Sequence, residues 1–247
     1  MNALPIPRAL AAAMSVLGLA SLTACGALEG LMPGRDPFLD QSPRSIAEAA
    51  FADMRKVTSL RILGDTEDRK NGRMQVDISV GEEGCTGSIA TDEGEFQLRR
   101  NGDGTWVKGD EDFVRAQASS PAQADVAWKQ LRGTWVPLDG KDALLELCDL
   151  DELLANFTLE ESDTSESIDV DQVVQVGDAD AVPLTGQKGK KRTTLWVALE
   201  APHHVLKMAP AKDGGMPDAL YFEEFGVEVV VETPAKKDIL KLPATSR

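Results

Sequence analysis

The sequence predicts an α+β fold built on an antiparallel sheet. A proline-capped amphipathic stretch comes first, followed by short period-two segments joined by Gly- and Asn-rich turns. A helical section interrupts them, and a second set of period-two segments ends the chain. Strand–helix alternation, the mark of a doubly wound parallel sheet, is absent.

Ser42-Pro43 supplies an N-cap with proline at the first helical position. Ile46, Ala49, Ala50, Met54 and Val57 then recur at helical spacing, which predicts a helix over residues 43–57. Leu60 to Leu63, Met74 to Val80 and Phe96 to Arg99 alternate with period two. Turn signals separate them at Asn71-Gly72, Gly81 to Gly84, Asp92 to Gly94 and Asn101 to Gly104. An antiparallel meander of about five strands is expected, ending with Thr105 to Lys108. Short helices are expected over Asp110 to Gln117 and after Ser120-Pro121, then an extended Thr134 to Pro137 and a leucine-rich helix from Ala143 to Phe157. The acidic, Ser/Thr-rich run Glu160 to Glu166 reads as a loop. Strands are expected at 170–177, 181–184, 193–199, 205–208, 220–222 and 227–231.

Upstream, Arg8 precedes an uncharged stretch from Ala9 to Leu28, which reads as a secretory signal. Its Leu22-Thr23-Ala24-Cys25 motif resembles the lipobox of bacterial lipoproteins. That resemblance implies cleavage before Cys25 and a diacylglyceryl thioether on its sulfur, with fatty chains such as palmitate. Two chains matter because a single one binds membranes only marginally, at about 0.8 kcal/mol per buried methylene. The expected organisation is a signal peptide at 1–24, a flexible tether at 25–42 and one domain at 43–247, extracytoplasmic and held at the outer face of the cell membrane. The alternative is an uncleaved membrane anchor, since Ala9 to Leu28 is just long enough to span.

Net charge is −15, and −16 once Arg8 is lost, with 25 basic residues against 41 acidic ones. Such a surface repels nucleic-acid phosphates and anionic lipid head groups. With Cys25 assigned to lipid, Cys85 and Cys148 remain as a pair in an oxidising compartment. A Cys85–Cys148 disulfide is expected, closing a loop of about sixty residues and contributing about 4 kcal/mol in the chain-entropy model. Two buried free thiols are the alternative.

Several phrases resemble the actinobacterial lipoproteins typified by LppX and LprG, and more distantly the LolA/LolB carriers. They are Val57 to Gly64, Gly84 to Ile89, Gly133 to Val136, Asp178 to Pro183, Leu195 to Ala198, Pro202 to Lys207 and Phe222 to Gly226. The resemblance spans about residues 42–240. It implies a strongly curved, unclosed half-barrel sheet, here of about 10–11 strands, with helices on its concave face. In some members a hydrophobic cavity between the layers holds an acyl chain. His203 departs from the pattern, standing where an aromatic residue is expected after Pro202.

No motif reads as an active site, metal centre or cofactor cradle, and no enzymatic activity is expected. His203 and His204 are adjacent, so on a strand they point to opposite faces and cannot act on one substrate together. Asp110 to Asp112 and Asp149 to Glu152 lack calcium-loop spacing and read as helix N-terminal acids. Lys188, Lys190, Lys191 and Arg192 read as a basic hairpin tip, with an anionic head group as the sharper alternative. Candidate pocket-lining positions are Leu60, Ile62, Ile78, Ile89, Phe96, Leu98, Trp106, Trp196 and Leu206. The expected function is to bind or carry a hydrophobic molecule as a monomer, without cofactor or nucleic acid. A fully packed envelope interaction module is the alternative.

Overall fold

Ser42 starts the first helix by accepting the Ser45 N–H on its Oγ at 3.1 Å, with Pro43 next in the chain. The helix, α1 (Pro43–Met54), buries Ile46, Ala47, Ala50, Phe51 and Met54, a stripe at helical spacing. The computed structural model describes residues 36–68, 72–138, 148–155, 157–158, 168–188, 191–211 and 218–241. Residues 1–24, Cys25 and the tether as far as residue 35 therefore lie outside the described residues, as do 143–147, 156 and the expected loop at 160–166.

After α1 come β1 (Ser59–Asp68), β2 (Gly72–Gly81), β3 (Gly84–Thr91), β4 (Gly94–Asn101) and β5 (Gly104–Gly109). They form the expected meander, each strand antiparallel to the last. Helices α2 (Glu111–Ala116) and α3 (Pro121–Leu131), a short β6 (Val136–Pro137) and α4 (Leu150–Ala155) follow. Asp110 caps α2 by accepting the Phe113 N–H at 2.8 Å, and Asp149 caps α4 by accepting the Glu152 N–H at 3.1 Å. Both acidic runs are thus helix starts, as their sequence suggests.

The second meander holds β7 (Asp169–Val170), β8 (Val174–Val176), β9 (Ala179–Lys188), β10 (Lys191–Ala198), β11 (Val205–Pro210) and β12 (Ala219–Glu223). The sheet has 12 strands in the order β6-β5-β4-β3-β2-β1-β12-β11-β10-β9-β7, with β8 also on β9. β1 and β12 join the two meanders, from Arg61↔Glu223 to Asp65↔Ala219. β6 and β7 end the order without pairing to each other, so the sheet is an open half-barrel. Gly64 makes the β1–β12 seam feasible. Its φ is +141°, and a Cβ there would run into the carbonyl oxygen of Ala219.

Three segments depart from the sequence expectation. Pro37–Asp40 form a 3-10 turn instead of loose tether, because Asp36 caps it and Phe38 is buried. The expected strand 170–177 is broken. Val170 faces Leu184 and Val174 faces Ala181, so three residues on one side oppose two on the other. Pro183 has no N–H to give there, and the chain bulges around it. Finally, 227–231 pairs with no strand among the described residues. Glu224 at φ 53° and Gly226 at φ 72° turn the chain off the sheet before those valines are reached.

Cys85 of β3 and Cys148, at the start of α4, are joined with Cα atoms 5.2 Å apart and a sequence separation of 63. The bond ties the helix over the sheet to the middle of the first meander. Replacing Cys148→Ser is expected to cost about 4 kcal/mol in chemical denaturation, the chain-entropy value for such a loop. A loss under about 1 kcal/mol would mean that packing of Leu150 and Leu154 alone holds α4.

Candidate functional site

The register places every second strand residue on the face that α1 and α4 cover. Leu60 pairs with Val80 and Ile62 with Ile78, while Ile89 pairs with Phe96 and Leu98 with Gly87. The side chains of Leu60, Ile62, Ile78, Ile89, Phe96 and Leu98 thus meet in one cluster with Ile46, Phe51 and Met54 of α1 and Leu150 and Leu154 of α4. Second-meander residues Val182, Leu184, Val197, Val205 and Phe222 complete it. Phe157, just after α4, packs edge-on against Phe51 and Phe222 with ring centroids 5.9 and 5.7 Å away. Arg55 donates to the Phe157 carbonyl at 3.0 Å, fixing that end of the cover.

This cluster is tightly filled at its centre. Leu98 and Val80 are 0 % exposed, Ile78 and Ile89 1 %. A side chain with no accessible surface borders no water-sized void, so at these positions sheet and helices are in direct contact.

Trp106, Trp196 and Leu206 do not join the other six. Trp106 alternates with Val107, which is the core residue of β5, and pairs with Arg99 and Pro137 on the opposite face. Trp196 alternates with core residue Val197 and lies opposite Pro183 and Lys207. The Lys207 ammonium sits 4.5 Å above the Trp196 ring and 5.1 Å from that of Tyr221. Leu206 falls in the bulge between β10 and β11, where the register shifts, and is half-buried. Counting by twos from Ile78 would have found Val76 and Val80 instead, both buried in the cluster.

The two histidines have separate partners. His203 lies flat on Phe38, centroids 3.7 Å apart, and its Nδ1 is 3.1 Å from the Ala198 carbonyl oxygen. Its ring fills the aromatic place the sequence pattern leaves open. The His203 N–H donates to Asp53 at 3.0 Å, and Lys56 pairs with the same carboxylate at 2.8 Å. The Lys56 hydrogen bond is the main cause holding the Asp53 carboxyl below its ordinary range, against the effect of burial. His204 packs on Phe225 at 4.1 Å, and burial pushes its pKa down despite Asp53. These contacts are those of packing residues. Among the described residues, no group of three His, Cys, Asp or Glu is placed to hold a metal ion.

The basic run forms a hairpin tip, Lys188 pairing with Lys191 across it, with Gly189 and Lys190 outside the described residues. Arg192 is 3.7 Å from Asp169 of β7.

On the opposite face from α1, the tail from Glu224 onward crosses the ends of the first-meander strands as a strap. Ser59 Oγ donates to the Val227 carbonyl at 2.6 Å, Asn101 to that of Val231 at 3.0 Å and Arg99 to that of Glu232 at 3.2 Å. Further on, the Trp135 N–H meets the Asp238 carbonyl at 2.7 Å, and the Leu240 N–H returns to the Trp135 carbonyl at 2.8 Å. Arg99 and Lys108 lie over the Trp135 ring, each 4.7 Å away. A cleft of about 180 Å³ remains under the strap, lined by Leu60, Ser79, Thr86, Glu224 and residues 227–230.

An open antiparallel half-barrel with helices on its inner face defines a fold class that known structures share. The crystal structure of LprF from Mycobacterium bovis is similar over 78 % of this chain and 97 % of that one, with a TM-score of 0.52 and 13 % identity. The Mycobacterium tuberculosis lipoprotein LppX covers 77 % of this chain and 100 % of its own, at a TM-score of 0.45 and 14 % identity. A LolA superfamily protein from Nitrosomonas europaea covers 82 % and 96 %, at 0.23 and 14 %. At 13 % identity the likeness to LprF is one of fold. No protein-family model matches the sequence, and no curated protein matches it closely.

The lowered His204 pKa has a defined consequence for stability. Its unfolded value is about 6.5 and its folded value lies below that. The neutral ring therefore supports the fold above about pH 6.5, and that support fades as pH falls through the folded value. Denaturation midpoints of the native chain and of His204→Gln should converge as pH drops across this window. Parallel curves would show that His204 titrates alike in both states.

Proposed function

We propose that this is an exported, non-catalytic lipoprotein that binds a hydrophobic molecule between its curved sheet and the helices covering it. The observation that carries this reading is the extent of the apolar inner face and the short helix that covers part of it. A 12-stranded sheet presents a continuous apolar inner face, and the described helical residues over it come from α1, the six-residue α4 and Phe113 of α2. A six-residue helix is about 9 Å long. A single apolar chain could replace the side chains of Leu150, Leu154 and Phe157 with no polar group left stranded, since the sheet residues of the cluster are hydrocarbon or aromatic apart from Cys85, whose sulfur is bonded to Cys148. The tight centre of the cluster favours the second reading, a filled interaction module.

Native mass spectrometry of the full chain in mild detergent separates the two. A lipid-sized adduct lost on denaturation is expected for the first reading, and a clean apo mass that stays apo after incubation with fatty acid would support the second. The lipid anchor is proposed at Cys25. Among the described residues no helix is long and apolar enough to cross a membrane. With Cys25→Ala, the chain should no longer incorporate labelled palmitate. Retention of the label would place the lipid elsewhere.

A further inference from the structure

We propose that the cleft under the C-terminal strap is a docking point for a protein partner and receives one basic side chain of that partner. This stands apart from the hydrophobic-ligand reading, because every residue lining the cleft except Leu60 lies outside the core cluster and the cleft has different chemistry.

Size is the first argument. At about 180 Å³ the cleft is smaller than the range of about 300–1,000 Å³ typical of small-molecule pockets. It suits one long side chain. Its walls have the two parts such a side chain needs: Val227 and Val229 offer hydrocarbon to an aliphatic stem, while Glu224 and Glu228 offer carboxylates to a cationic head. The hydroxyls of Ser79 and Thr86 add acceptors beside them.

Charge is the second. Arg61 faces three carboxylates here, Asp77 at 2.9 Å, Glu224 at 3.1 Å and Glu223 at 3.5 Å. One guanidinium leaves that group negative, and among the described residues no cation lies against Glu228. The Arg61–Glu224 contact also shows that a guanidinium fits at this rim. An acidic partner would be repelled from it, and the net charge of −15 acts in the same direction over longer range.

The third is the surface around the opening. Val227 is 53 % exposed and Val230 70 %, among the most exposed large apolar residues described. They flank the cleft on the strap, which is pinned from below by Ser59, Arg99 and Asn101. A rigid apolar rim around a pocket that takes a cationic anchor is the usual form of an interface hot spot, where arginine is enriched.

The test uses the isotope-labelled full chain and N-acetyl-arginine N-methylamide, with the citrulline compound as its neutral isostere. The arginine compound should shift the amide signals of Ser79, Thr86 and residues 224–230 saturably at millimolar concentration, and the citrulline compound should not. Glu228→Lys should weaken the effect at least tenfold and Glu228→Gln by less, with signals elsewhere unmoved. Equal shifts from both compounds, or shifts scattered over the acidic surface and indifferent to Glu228→Lys, would overturn the proposal. So would saturable binding of phosphoethanolamine in place of the arginine compound, which would assign the cleft to a lipid head group.

Discussion

The pairing of β1 with β12 is the constraint on which the rest of this architecture depends. It brings residues near 60 against residues near 220 and turns two separate meanders into one sheet. Among the described residues no other strand pair crosses that sequence distance. The core needs it, because Ile62 and Phe222 face each other across the seam and each meander supplies only part of the apolar inner face. Arg61 reinforces the seam from outside by bridging Asp77 of β2 to Glu223 and Glu224. Asp77 is the first cause of the raised Arg61 pKa. Contacts of such separation close slowly, since loop entropy is lost before they form.

From that seam the two faces of the sheet acquire different roles. The inner face is hydrocarbon, backed by α1 and α4, and carries the proposed ligand site. The outer face is mostly polar, and at one end the strap covers it through side chains that donate to its carbonyls. Side-chain donors replace a strand partner there. The Trp135 ring, held by Arg99 and Lys108, gives the far end of the strap a firm base.

Much of this was legible in the sequence where local chemistry governs. Ser42-Pro43, Asp110 and Asp149 announce their helices, and the Gly-containing turns from Gly81 to Gly104 delimit the first meander. Six of the nine candidate inner-face residues could be read by alternation, because parity within a regular strand is strict. Trp106 and Trp196 fall on the other parity, because their neighbours Val107 and Val197 occupy the inner face. Leu206 sits at a bulge, where parity is lost. The valines at 227–231 look like a strand by propensity, yet a backbone turn at Glu224 and Gly226 overrides it. The stacking of Phe38 on His203 joins residues far apart in sequence, and no local pattern encodes it.

That stack has a mechanical meaning. A pull on the chain upstream of Asp36 does not act first on α1. It meets the buried Phe38 ring, whose partner His203 is itself bonded through its N–H to Asp53 in the last turn of the helix. The load thus passes into the far end of α1 and the turn before β11, and α1 cannot be peeled from its N-terminus until the ring has left its seat. Phe38 works as a strain relief, the knot in a cord that keeps tension off the joint behind it.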